Sequence, residues 1–111
     1  MKTKCEFMEY LSDQCIGIEL GSGNGIETEN ILMQNKLEYL YSVDAYENNQ
    51  YDYKQALVRL DQFKEKHSLF KMASSDALEL FPNSFFNILI LNTTINGVIE
   101  AWLSKMKEDG I

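Results

Sequence analysis

Three glycines at alternate positions, Gly21, Gly23 and Gly25, follow a run in which Ile16, Ile18 and Leu20 alternate with smaller or polar residues, and an acid, Glu19, stands just before them. Glycine reaches positive φ values and lets the backbone approach a ligand that a β-carbon would push away. A helix-like segment begins at Gly25, and the first N–H groups of such a helix would face the same space. The spacing therefore suits a cradle for a small molecule, built as strand, tight turn and helix. A strand-to-helix turn that needs glycine for its own geometry is the competing explanation.

The elements that would hold this cradle can be followed along the chain. Residues 4–13 form a short amphipathic helix with Phe7, Met8 and Leu11 on one side, and the first strand follows. The helix after the turn runs from Gly25 to about Gln34, with Ile26, Ile31, Leu32 and Met33 expected inward. A second strand, residues 39–43, stops at Asp44. That acid lies about twenty residues past the last glycine, where a Rossmann-like unit presents a carboxylate to ribose hydroxyls; a turn or helix-capping aspartate is the alternative. A helix over residues 50–67 is predicted from Tyr53, Leu57, Leu60 and Phe63, with His67 as a cation at its end. A third strand, residues 68–73, leads to Asp76. The segment from Phe85 to Leu91 is almost continuously apolar, as a central parallel strand covered on both faces should be. A last helix over residues 95–107 turns Val98, Ile99, Trp102, Leu103 and Met106 inward, and residues 108–110 form a turn.

Composition narrows the function. With 111 residues, 45% hydrophobic and 24% charged, the chain is one soluble domain, small for a doubly wound α/β fold. A net charge of −7 without a basic cluster argues against a nucleic-acid partner and for a small molecule or a protein. No apolar run has the length of a membrane span and residues 1–10 carry no signal-peptide core, so no membrane association and a cytoplasmic location are expected. Cys5 and Cys15 lack metal-site spacing and are expected to be reduced and mostly buried.

The order acid, apolar residue, Gly21, x, Gly23, x, Gly25 resembles motif I of the class I S-adenosylmethionine-dependent methyltransferases. A dinucleotide fingerprint, and with it an oxidoreductase half-domain, fits less well, because its third glycine would fall at Ile26. The resemblance covers nearly the whole chain and is strongest toward the branch related to small O-methyltransferases, through Ser42-Val43-Asp44, Ala101-Trp102-Leu103 and Asp109-Gly110. It implies a Rossmann-like α/β three-layer sandwich with a mostly parallel sheet of about four strands in the order 3-2-1-4. It further implies S-adenosylmethionine as cofactor. Its methionine part would lie over Glu19, Gly21, Ser22, Gly23 and Gly25, its ribose would meet Asp44 and Ala45, and its adenine would meet Asp76 and Ala77. Asp76 has a helix N-cap as its competing role. Asn92, at the carboxyl end of the fourth strand, is the candidate substrate-facing residue, against an asparagine that merely closes a turn. Where metal-dependent relatives carry acids and a histidine, this chain reads Asn92-Thr93-Thr94-Ile95-Asn96, so no metal is expected.

The resemblance also implies that the last three strands of the family are missing. The edge of Phe85 to Leu91 would then lie bare, inviting a second copy of the chain or a partner chain. Two functions follow: a methyltransferase or its cofactor-binding portion, acting on a small molecule or a protein, or a non-catalytic module of the same fold that works by association.

Overall fold

The computed structural model describes residues 15–92 and 98–107. The helix expected over residues 4–13, Cys5, residues 93–97 and the turn at 108–110 lie outside the described residues. Four parallel strands form one sheet in the order β3-β2-β1-β4. These are β1 (Cys15–Leu20), β2 (Leu37–Asp44), β3 (His67–Lys71) and β4 (Ile88–Leu91). Between them run α1 (Ile26–Met33), α2 (Gln50–Leu60) and α3 (Ser74–Ala77), and α4 (Val98–Leu103) follows β4. The expected Rossmann-like α/β architecture and strand order are present. Leu20 pairs with Val43 and with Leu91, while Asp44 pairs with Lys71, so the carboxyl ends of all four strands share one rim. The neighbours of β1 are β2 on one side and β4 on the other, which makes this rim the place where the chain reverses its winding.

Alternation in β1 divides the core. Ile18 and Leu20 point toward Val43, Ala77, Phe81, Phe86 and Trp102, while Cys15 joins Ile31, Leu32, Leu40, Ala56, Leu60, Ile88 and Ile90 on the opposite face. Cys15 is buried in this second cluster.

Several faces and boundaries differ from the sequence expectation. In α1 the buried residues are Thr28, Ile31 and Leu32, whereas Ile26 and Met33 are exposed. At 100° per residue these two fall opposite the stripe through positions 28, 31 and 32, and the Thr28 hydroxyl turns that stripe inward by bonding Glu19 at 2.6 Å. Helix α2 is capped by Asn49, which accepts from the Asp52 N–H, but it ends at Leu60 and passes through a 3-10 turn, Asp61–Phe63. The helical pattern up to His67 is overridden because β2 captures the chain: Leu40 N–H donates to the Lys66 carbonyl at 2.9 Å. His67 thus opens β3 and does not cap a helix, and Leu57 is exposed, with Ala56 taking the inward position.

Strand β4 is shorter than Phe85 to Leu91. Asn87 interrupts it, accepting from the Ile16 N–H with its side chain at 2.9 Å. Ahead of it, Phe85 and Phe86 donate to the Lys105 carbonyl and Lys107 N–H donates to Phe86. The edge expected to be bare is therefore paired at this end, through a parallel bridge between Phe86 and Met106. In α4 Trp102 is fully buried, while Ile99 and Leu103 are exposed. Among the described residues no helix is long and apolar enough to cross a membrane.

Candidate functional site

The glycine turn begins one residue past β1. Gly21, Gly23 and Gly25 have φ of 92°, 54° and 87°, in the region that favours glycine. Two of them are constrained differently. A β-carbon at Gly25 would meet the Ala56 Cα and Leu60 at 3.3 Å, so this glycine also admits α2 close to the turn. A β-carbon at Gly23 would meet nothing within 4 Å, which leaves the outer side of the turn open.

Asp44, the last residue of β2, faces that turn. Its Oδ2 accepts from the Gly23 N–H and its Oδ1 from the Tyr46 N–H, both at 2.9 Å. The bond to Tyr46 two residues on is the aspartate turn considered as an alternative, and it coexists with a place on the cleft. That cleft, of about 280 Å³, is bounded by Gly21, by Val43, Asp44, Ala45 and Glu47, and by Ala73 and Ser74 at the start of α3.

Of the residues expected to hold a cofactor, Gly21, Asp44 and Ala45 line this cleft, and Glu19, Ser22, Gly23, Gly25, Asp76 and Ala77 are not among its lining residues. Ser22 is buried beside the turn and its hydroxyl meets the Tyr46 phenol at 2.8 Å. Asp76 is exposed in the first turn of α3, where the residue at the cap is Ala73, so it is not an N-cap. Ala77 lies in the core below, packed with Val43 and Phe81.

Glu19 lies buried under the turn, among donors from three elements. Thr28 and Ser42 donate to its Oε1 at 2.6 and 2.8 Å, and the Asn92 amide donates to its Oε2 at 2.6 Å. Asn92 is thus brought to the acid that precedes the glycine turn. Ser42 also meets His67 Nε2 at 2.9 Å. Because the single Ser42 proton is directed at Glu19, the hydrogen in that contact belongs to His67 Nε2. Burial lowers the His67 pKa to about 4, which keeps the ring neutral. Tyr46 is shifted upward to about 12, chiefly by burial and further by the carboxylates of Asp44, Glu19 and Asp52, against the Ser22 bond.

Sequence reasoning overlooked Tyr46, Glu47, Thr28, Ser42 and His67 as members of this region. Ser42 had a signal: it is a hydroxyl on the inward phase of a strand, two residues before the acid. Tyr46 and His67 had none, since both depend on partners more than twenty residues away. Among the described residues no three His, Cys, Asp or Glu side chains converge as a metal site.

No family model matches the chain, and no curated protein matches it by sequence. Solved structures match it in fold. A putative S-adenosylmethionine-dependent methyltransferase of Methanococcus maripaludis has a TM-score of 0.74 at 10% identity over 95% of this chain and 49% of that one. An S-adenosylmethionine-dependent methyltransferase of Geobacter sulfurreducens, in complex with S-adenosylhomocysteine, has a TM-score of 0.67 at 16% identity over 94% and 42%. Spermidine synthase of Thermotoga maritima has a TM-score of 0.68 at 15% identity over 99% and 43%. The chain therefore has the fold of these Rossmann-like transferases and spans less than half the length of each of the three.

Proposed function

We propose that the cleft binds S-adenosylmethionine and that the chain is the cofactor-binding portion of a methyltransferase acting on a small molecule or a protein. The observation that carries this reading is the Asp44 carboxylate. Each of its oxygens holds one backbone N–H at 2.9 Å and has a further lone pair for a ligand. In a dinucleotide site the glycine-turn amides face a phosphate. Here the Gly23 amide already serves a carboxylate, and Glu47 adds a second negative charge at the cleft. A phosphate is repelled by that pair, whereas the two O–H donors of a ribose find acceptors. The fold by itself does not choose the reaction, as the likeness to spermidine synthase makes plain.

When bound, S-adenosylmethionine supplies a methyl group on a cationic sulfur for transfer to a nucleophile. The contribution of this chain is placement. Gly21 and Gly23 admit the ligand close to the backbone, Asp44 orients the ribose, and Glu19 ties β1, β2, α1 and Asn92 into a fixed rim. Rigid placement is the larger part of what such a transfer asks of a protein. The net charge of −7 supports an acceptor other than nucleic acid.

Calorimetric titration with S-adenosylhomocysteine, and separately with NAD, tests the reading. The first is expected to bind and the second not. Asp44→Ala should lose roughly ten- to a hundredfold in affinity, the value of hydrogen bonds to a charged group. A wild-type protein indifferent to S-adenosylhomocysteine, or an Asp44→Ala variant of unchanged affinity, overturns it.

A further inference from the structure

Tyr46 has a backbone that its residue type disfavours. Its φ is 52°, in the left-handed region, which is an outlier for a bulky side chain. Such a conformation persists only where the surroundings over-determine it. At Tyr46 they do. Its N–H donates to Asp44 Oδ1 at 2.9 Å, and its carbonyl accepts from the Asn49 N–H at 3.2 Å. Its ring, buried in the core, lies 5.0 Å from that of Tyr53. Its phenol donates to the Gly23 carbonyl at 2.7 Å. A phenol has one proton, so at 2.8 Å from Ser22 it accepts from the serine hydroxyl.

Both phenol bonds therefore end on the glycine turn, across 23 or 24 residues of sequence. The outer side of Gly23 faces open space, and two groups, one at the end of β2 and one in the loop after it, hold the residue: Asp44 at its N–H and Tyr46 at its carbonyl. Packing alone would be served by phenylalanine, which has the same ring and no reach to the Gly23 carbonyl.

We infer that Tyr46 is a positioning residue for the ligand cleft: it clamps the glycine turn to the loop after β2, so that Gly21, Gly23 and Asp44 have their binding arrangement before a ligand arrives. The inference rests on the reading of this cleft as the S-adenosylmethionine site. A preformed site binds more tightly because the ordering of its loops is not left to the ligand. The elevated pKa, about 12, keeps the phenol protonated and donating at any ordinary pH.

Tyr46→Phe tests the clamp by two readouts. In the ligand-free protein, amide hydrogen exchange at Gly23 should rise about tenfold, the consequence of losing one or two buried hydrogen bonds. Affinity for S-adenosylhomocysteine should fall by about tenfold well below the unfolding temperature. Ile90→Val is the control for a merely structural role, because it trims the core cluster that holds the Tyr46 ring and leaves both phenol bonds in place; it should leave both readouts at wild-type values. Wild-type exchange and affinity in Tyr46→Phe overturn the inference, as does an equal loss in Ile90→Val, or faster exchange with unchanged affinity. If the wild-type protein binds no S-adenosylhomocysteine, the functional reading fails by itself, and the ligand-free exchange still decides whether Tyr46 clamps the turn.

Discussion

The two faces of the sheet are built from different chemistry. Under α3 and α4, Tyr41, Phe70, Phe81, Phe85, Phe86 and Trp102 form a connected set of rings with centroids 4.9 to 6.2 Å apart. Trp102 Nε1 is buried there with no hydrogen-bond partner among the described residues. Under α1 and α2, aliphatic packing surrounds four buried polar side chains, Glu19, Thr28, Ser42 and His67, joined by bonds of 2.6 to 2.9 Å. The aromatic face stabilises through apolar area and tolerates an orphaned indole N–H. The mixed face cannot tolerate orphans, because an unpaired buried carboxylate is far more costly, and its satisfied network leads up to the rim where Asn92 meets Glu19. Stability and binding should therefore be separable by face.

The largest expected effect is on the aromatic side. Phe86 is fully buried against Trp102, so Phe86→Ala should cost about 3–5 kcal/mol, read from the denaturant midpoint of Trp102 fluorescence. In conditions where the variant is folded, its affinity for S-adenosylhomocysteine should equal that of wild type; a loss of affinity breaks the separation.

On the mixed face, pH should do what substitution does on the other. His67 has a pKa of about 4 in the folded chain against 6.5 when unperturbed. Between those values the unfolded chain binds the proton and the folded chain does not. Stability is then full above about pH 6.5 and falls toward pH 4, by on the order of 3 kcal/mol. The proton would have to enter at Nδ1, since Nε2 already carries one, and His67 lines a small cleft together with Asp61 and Lys64. Subtracting the unfolding profile of His67→Gln from that of wild type should isolate this slope, and identical profiles would remove His67 as its source.

The smallest effect sharpens the boundary between the two roles within the glycine turn. Gly25→Ala meets both strain and contact with α2, and should cost more stability than Gly23→Ala, whose strain alone is about 1 kcal/mol. For binding, the order should reverse on the proposed reading, in which the ligand approaches the open side of Gly23. Thermal unfolding and titration of the pair decide it.

Much of the rim was legible because its requirements are local. Positive φ at three alternate positions demands glycine wherever the chain turns so sharply, and an alternating apolar strand announces its own direction. Asp44 was legible through spacing, since a strand, turn, helix and strand need about that much chain. The order 3-2-1-4 of the sheet was implied by the family resemblance, while the almost continuously apolar Phe85 to Leu91 pointed by itself to a parallel strand.

What the tertiary structure alone decided are contacts whose partners are remote. Glu19 and Asn92 meet across 73 residues, and Asn87 interrupts β4 by bonding a strand 71 residues earlier. His67 has a helical neighbourhood in sequence, yet β2 draws it into the sheet, because a backbone ladder satisfies groups that one more helical turn would leave beside the sheet's bare edge. The inward face of α1 was settled by a threonine bonding a buried acid, which hydrophobic periodicity ignores. Tyr46 shows the limit most clearly: nothing in Asp44-Ala45-Tyr46-Glu47 signals a left-handed tyrosine, and part of what holds its conformation is the glycine turn, 23 residues away in sequence and within reach of its hydroxyl.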